Sequence, residues 1–361
     1  MSDIRYSIAL SMLEDIGPVR TRKLLTAFGT PEKIFRSRMD DLISIEGIGK
    51  NRAKNITEFS AWNEIEKKIK VMEKKEIRAV SFNEPSYPEM FREMEDAPVV
   101  IYTKGEIQPQ DRYAIAIVGS RKPTYYGSSV TEKISEELAS MGFTIVSGMA
   151  RGIDALSHKG ALRAGGRTVA VLGSGVDIPY PAENKILMDK IANFGCVISE
   201  FPPGTPPNKE NFPRRNRLIS GLSLGVLVVE ATSDSGSLIT AGYALEQGKE
   251  VFAVPGNVTS PTSEGTNELI KKGAILVRHS EDIIEELAPV LKGFIKAKIK
   301  VKVEITDEEK NICNFLSGEP KQIDIISRES GLPASRVLGI LLGLELKGVV
   351  KQTSGKRFYL A

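Results

Sequence analysis

The stretch Lys209-Glu-Asn-Phe-Pro-Arg-Arg-Asn-Arg-Leu-Ile-Ser-Gly221 concentrates basic side chains, one aromatic ring and an amide within a few residues. Pro213 suits the first turn of a helix, and a helix starting there leaves Lys209 and Phe212 in the loop at its positive end. Anions are favoured at such an end. Arg214, Arg215 and Arg217 offer planar multi-donor contacts to phosphate, and Phe212 can stack on an unpaired base. With Asn216 among them, these residue types suit a single-stranded nucleic acid better than a small metabolite. The alternative is a solvated basic helix start with Phe212 anchored in the core.

Glycine turns of related character recur along the chain: Gly119-Ser-Arg-Lys122, Ser147-Gly-Met-Ala-Arg-Gly-Ile-Asp154, Gly173-Ser-Gly-Val-Asp177, Ala231-Thr-Ser-Asp-Ser-Gly-Ser237 and Pro255-Gly-Asn257. Gly119, Ser120 and Arg121 leave one strand, and Gly148 belongs to the next turn. Ser235, Gly236 and Ser237 open a helix whose N–H groups suit phosphate. None of the turns follows the G-x-G-x-x-G dinucleotide pattern, and no phosphate-binding G-x-x-x-x-G-K-[ST] loop, G-x-S-x-G elbow or H-E-x-x-H pair is present. Asp154, Asp177, Glu200, Glu230 and Asp234 read as caps or loop residues holding backbone N–H groups, and His158 as a packing residue. The expectation is an anion site without catalytic equipment, cofactor or metal.

The chain has 361 residues and a formal net charge of only +3, so nucleic-acid affinity must come from local basic patches. Cys196 and Cys313 lie far apart and His158 and His279 stand alone, which supports neither a disulfide framework nor a zinc site. No long apolar run suggests a secretory signal or a membrane span, so a cytoplasmic protein is expected.

The elements that must hold these turns follow from the hydrophobic rhythm. Strands are expected at 114–118, 144–146, 168–172, 197–199, 226–230, 250–254 and 275–277, with helices at 128–141, 153–164, 182–193, 237–247 and 264–272. Apolar strands alternating with amphipathic helices predict a parallel sheet covered on both faces, with ligands beyond the carboxyl ends of its strands. Residues 1–62 read as short helices. Within them, Leu42-Ile-Ser-Ile-Glu-Gly-Ile-Gly-Lys-Asn-Arg-Ala-Lys-Asn-Ile56 resembles a helix-hairpin-helix, and 13–24 looks like a degenerate copy. Gly47 and Gly49 permit a tight turn beside Lys50 and Arg52, which suits a phosphate backbone; a hairpin used only for packing is the alternative. A connector at 63–112 extends or borders the sheet, which occupies 113–290. A basic linker at 291–304 follows, and 305–361 shows the pattern of a winged helix that binds DNA or docks a protein.

Val118-Gly-Ser-Arg121, Ser147-Gly-Met-Ala-Arg-Gly-Ile-Asp154, Ala170-Val-Leu-Gly-Ser-Gly-Val-Asp177 with Tyr180-Pro181, Phe212-Pro-Arg-Arg-Asn-Arg217 and Ser235-Gly-Ser-Leu-Ile-Thr240 together resemble the DNA-processing protein A family, DprA or Smf. The resemblance runs from about Tyr87 to Ile284, and the helix-hairpin-helix start and winged-helix end also resemble members of the family. It implies an α/β fold with an extended Rossmann-like domain that binds single-stranded DNA, dimerises, protects incoming strands in natural transformation and helps load a RecA-type recombinase. It also implies that Arg121, Lys209 and Phe212 form the DNA pocket, with Asn216 and Arg217 in support. A different class, a nucleotide-binding enzyme or sensor, is suggested by Pro255-Gly256 with Gly265-Thr266, although Asn257 replaces the second glycine of that pattern.

Overall fold

The computed structural model describes residues 4–13, 15–291, 306–317, 320–346, 349–353, 355 and 357–360. It divides into two compact units, Met1–Pro289 and Val290–Ala361. Of the basic linker expected at 291–304, only Leu291 is described, and it is buried; Lys292, Lys296, Lys298, Lys300 and Lys302 lie outside the described residues.

The first unit opens with helices α1 (Ile4–Ser11), α2 (Pro18–Phe28), α3 (Pro31–Phe35), α4 (Met39–Ile43), α5 (Lys50–Thr57) and α6 (Trp62–Lys74). Gly17 and Gly49 sit in extended backbone at the N-caps of α2 and α5, so the degenerate hairpin copy and the clear one start their second helices alike. Gly47 takes a φ of +85°, a conformation that glycine adopts without a steric penalty. Arg52 Nε donates to the Asp15 carbonyl at 3.0 Å and its Nη1 to the Gly47 carbonyl at 3.3 Å, tying the two hairpin turns together.

A nine-stranded sheet follows: β1 (Arg78–Ser81), β2 (Val100–Gly105), β3 (Ala114–Val118), β4 (Thr144–Ser147), β5 (Thr168–Val171), β6 (Cys196–Ser199), β7 (Gly225–Val228), β8 (Glu250–Ala253) and β9 (Ile275–Leu276). Its order is β1-β2-β6-β5-β4-β3-β7-β8-β9. The strands from β3 onward pair in parallel, whereas β2 pairs antiparallel with β6, and β1 antiparallel with β2. The connector therefore borders the sheet through an antiparallel edge, which departs from an all-parallel sheet. Between β1 and β2 lies only the single-turn helix α7 (Glu89–Arg92), too short to serve as a parallel crossover.

Helices α8 (Tyr125–Ser140), α9 (Ile153–Arg163), α10 (Lys185–Phe194), α11 (Asn211–Gly221), α12 (Gly236–Glu246), α13 (Pro261–Lys271) and α14 (Ser280–Leu287) complete this unit. Leu218 and Ile219 of α11 and Ala241 and Ala244 of α12 join Ala116, Val118, Val146 and Val171 in one core. In a second core, Ile8, Leu10, Leu24 and Leu42 of the N-terminal helices pack with Val100, Tyr102, Ala170 and Val197. The helical start is thus anchored to the sheet, and a buried Ser7–Ser81 hydroxyl pair at 2.8 Å adds a polar link.

The second unit carries helices Asp307–Cys313, Ile323–Ser330 and Ala334–Leu346 with strands Lys321–Gln322, Val350–Thr353 and Arg357–Leu360. Val337, Leu341 and Leu344 share a buried core with Ile312, Ile326 and Phe358, as the apolar spacing of the last helix demands. Arg336, near the start of that helix, pairs with Glu308 at 2.6 Å.

Candidate nucleic-acid interface

The chain runs β3, β4, β5, β6 in one direction across the sheet and then returns to the other side of β3 with β7. This reversal opens a crevice beyond the carboxyl ends of β3 and β7, the place where open α/β sheets take their ligands. Gly119 leaves β3 into that crevice, and a Cβ there would meet Ile153 Cγ1 at 2.9 Å and the Glu230 carbonyl at 3.0 Å. Ser120 shapes the turn: its hydroxyl accepts from the Lys122 N–H at 3.1 Å and its carbonyl from the Ile153 N–H at 3.1 Å. The turn leaves Arg121 exposed.

The helix expected near Pro213 starts earlier, at Asn211, so Phe212 lies in its first turn and not in the preceding loop. The reason is a turn at 208–211: the Asn211 N–H donates to the Asn208 carbonyl at 3.0 Å and the Phe212 N–H to the Lys209 carbonyl at 3.3 Å. With Pro213 lacking an N–H, anion contact at this helix end falls to side chains. Lys209 and Arg214 are both exposed there. The Arg214 guanidinium lies 5.3 Å from the Phe201 ring centroid and 3.9 Å from a Glu200 oxygen.

Phe212 is half-buried at the centre of a small cluster. Its ring centroid is 5.3 Å from that of Tyr180, and the guanidinium carbons of Arg121 and Arg215 each lie 5.9 Å from it. Gly173, just beyond β5, admits this ring: a Cβ would come within 2.9 Å of Phe212 Cδ1.

Arg215 and Arg217 require a correction, because both are buried. Arg215 Nη1 donates to the Gly148 carbonyl at 2.7 Å and to the Val171 carbonyl, and Nε to Asn216 Oδ1 at 3.1 Å. A Cβ on Gly148 would meet the guanidinium carbon at 2.6 Å, so the glycine is needed for Arg215 to pass. Burial lowers the Arg215 pKa to about 10, opposed by Asp154, so the group stays charged at neutral pH. Arg217 is held by Glu200 at 2.6 Å and Asp96 at 3.2 Å. Burial raises the Glu200 carboxyl, and Arg217 opposes that shift. Arg215 thus carries the floor of the site by reaching strand-end carbonyls, whereas Arg217 is held between the Glu200 and Asp96 carboxylates.

Asn216 Nδ2 donates to the Gly236 carbonyl at 3.3 Å, joining α11 to the start of α12. At that start the Ser237 N–H is already taken by Ser235 Oγ at 3.3 Å, while Gly236 is exposed. Glu230 accepts from the Thr124 N–H at 2.9 Å and its hydroxyl at 2.5 Å, placing a carboxylate at the start of α8. His158 is buried with Nδ1 2.6 Å from Thr168 Oγ1, and burial holds its pKa at about 3. It is a packing residue. Gly256 packs on Ser263, and the Gly265 N–H donates to the Ala231 carbonyl at 2.8 Å, so both glycines serve backbone packing.

A profile described as DNA recombination-mediator protein A matches residues 78–288. The chain belongs to that family. A SAM-like helix-hairpin-helix tandem matches residues 7–80 and a DprA winged helix domain residues 301–356. Protein Smf of Synechocystis is 34% identical over 99% of this chain and 98% of its own length. The solved structure of DNA processing protein A from Streptococcus pneumoniae, 35% identical, covers 79% of this chain and 99% of that one with a TM-score of 0.68. A structure described as the single-stranded DNA binding mode of DNA processing protein A from Helicobacter pylori is 32% identical and covers 59% of this chain and 96% of that one, with a TM-score of 0.53.

Tyr180 is the site residue that sequence reasoning passes over. Tyr180-Pro181 is visible as a motif, but only the fold sets its ring, 42% exposed, against Phe212. Among the described residues no helix is long and apolar enough to cross a membrane.

Proposed function

We propose that this chain binds single-stranded DNA in the crevice beyond β3, β5 and β7 and mediates recombination by presenting the strand to a RecA-type recombinase, as a homodimer. The observation that carries the proposal is the Phe212–Tyr180 pair with the Arg121 guanidinium beside it. Bases stack on aromatic rings without regard to sequence, while cations track the backbone. Arg121, Lys209 and Arg214 contact phosphates; Phe212 and Tyr180 stack on bases. Gly119, Ser120 and Gly148 shape the crevice, Arg215 and Asn216 brace its floor, Arg217 supports them from behind by fixing α11 to Glu200 and Asp96, and Ser235, Gly236 and Ser237 border it. Gly47, Gly49 and Lys50 of the second hairpin offer a separate phosphate contact. Family membership and the single-stranded DNA binding described for the Helicobacter pylori protein support this assignment. The role requires no covalent step.

The test is fluorescence anisotropy with a single-stranded oligonucleotide across a salt series, with duplex competitor. Phe212→Ala should cost about 1–3 kcal/mol of affinity. Lys209→Ala should flatten the salt slope by about 0.7, one phosphate contact on a single strand. Equal duplex binding, indifferent to Arg121→Ala and Lys209→Ala, would remove the site from the strand ends.

A further inference from the structure

On α10, Ile186, Lys190 and Phe194 are spaced four apart and share one helix face. Ile186 is 72% exposed and Phe194 65% exposed, unusual for large apolar side chains on one stripe. Facing them, Lys159, Leu162, Arg163, Gly165 and Gly166 from α9 and its following turn complete a cleft of about 720 Å³. None of these residues belongs to the crevice at the strand ends.

The charges around the cleft are uneven. Arg163 is held by Glu132 and Glu136, and Glu183 by Arg151. Lys159 and Lys190 are exposed and have no ion-pair partner among the described residues. What remains is an apolar groove whose two unpaired charges, Lys159 and Lys190, are positive; with Arg163 and Arg151 they make four basic groups against the three carboxylates Glu132, Glu136 and Glu183, a net charge of +1. The lysine-rich segment 292–302 of this chain has the same sign and is a poor occupant.

We propose that this groove docks an acidic peptide segment of a partner protein, with apolar side chains seated on Ile186, Leu187 and Phe194 and carboxylates facing Lys159 and Lys190. Apolar anchors would supply most of the affinity, and the lysines would select acidic over basic sequences.

The test uses the full chain and a fluorescein-labelled peptide, Asp-Asp-Leu-Asp-Asp-Leu-Phe, read by anisotropy, with a Lys-for-Asp version as control. Saturable binding of the acidic peptide alone is expected. Phe194→Ala and Ile186→Ser should each weaken it by at least about tenfold. Lys159→Glu with Lys190→Glu should abolish it. All variants should keep wild-type affinity for single-stranded DNA. No saturable binding, or binding indifferent to these substitutions, overturns the proposal. Loss of self-association in Phe194→Ala, measured by sedimentation, would also overturn it and assign the groove to a second copy of the chain.

Discussion

Replacing Arg215 with Ala separates a floor arginine from a DNA-contacting one. The side chain is buried and donates to the carbonyls of Gly148 and Val171 and to Asn216. A hydrogen bond from a charged donor is worth about 1.5–3 kcal/mol, and removing one member of a buried charged set costs about 3–5 kcal/mol. The substitution also leaves the buried Asp154 carboxyl, already raised by burial, without the arginine that opposes that shift. We expect a loss of about 3–5 kcal/mol. At about 2–4 °C per kcal/mol for a large domain, the thermal midpoint should fall by roughly 6–20 °C. Arg214→Ala, whose side chain is 60% exposed, should move the midpoint by no more than about 2 °C and weaken binding to single-stranded DNA. Differential scanning calorimetry and anisotropy on both variants decide the matter. An Arg215→Ala protein with a wild-type midpoint and a large loss of DNA affinity would refute the structural role and make Arg215 a phosphate ligand.

Gly173→Ala should act on DNA through Phe212, since the new Cβ would sit 2.9 Å from Cδ1 and 3.2 Å from Cε1 and push the ring aside. Weaker oligonucleotide binding with little change in melting is expected, and unchanged affinity would dismiss the ring's role. His158 sets a pH dependence: the unfolded imidazole binds a proton below about 6.5, the native one only below about 3. Stability should therefore fall as pH drops from 6.5 toward 3, by up to about 1.4 kcal/mol per pH unit from this group. His158→Asn should lessen that slope in urea melts, and an identical slope would exclude the group as its source. Arg52→Ala should cost about 1 kcal/mol of stability by releasing the Asp15 and Gly47 carbonyls, with DNA affinity unchanged. Weakened DNA binding at unchanged stability would return Arg52 to the phosphate contacts.

Local pattern is enough to place most elements of the first unit. The strand expected at 114–118 is β3 itself, and the others end within two residues of their expected limits, because apolar runs between glycine turns are short-range signals. The start of α11 escapes the pattern because the turn that sets it depends on backbone bonds at 208–211, not on the proline. The antiparallel edge escapes it because strand composition does not carry pairing direction.

The sequence by itself determined the α/β rhythm, the strand-end turns, the winged-helix pattern and the grouping of Lys209, Phe212 and Arg214. Tertiary structure alone decided which arginines of one helix face outward. Arg214 and Arg215 are adjacent, yet Arg215 reaches carbonyls 67 and 44 residues away in sequence, at the ends of β4 and β5. It likewise decided that Tyr180 meets Phe212 and that the N-terminal helices share a core with the sheet. The physical reason is that propensity and periodicity act over a few residues, whereas the fate of a long side chain depends on which distant backbone groups are left without partners.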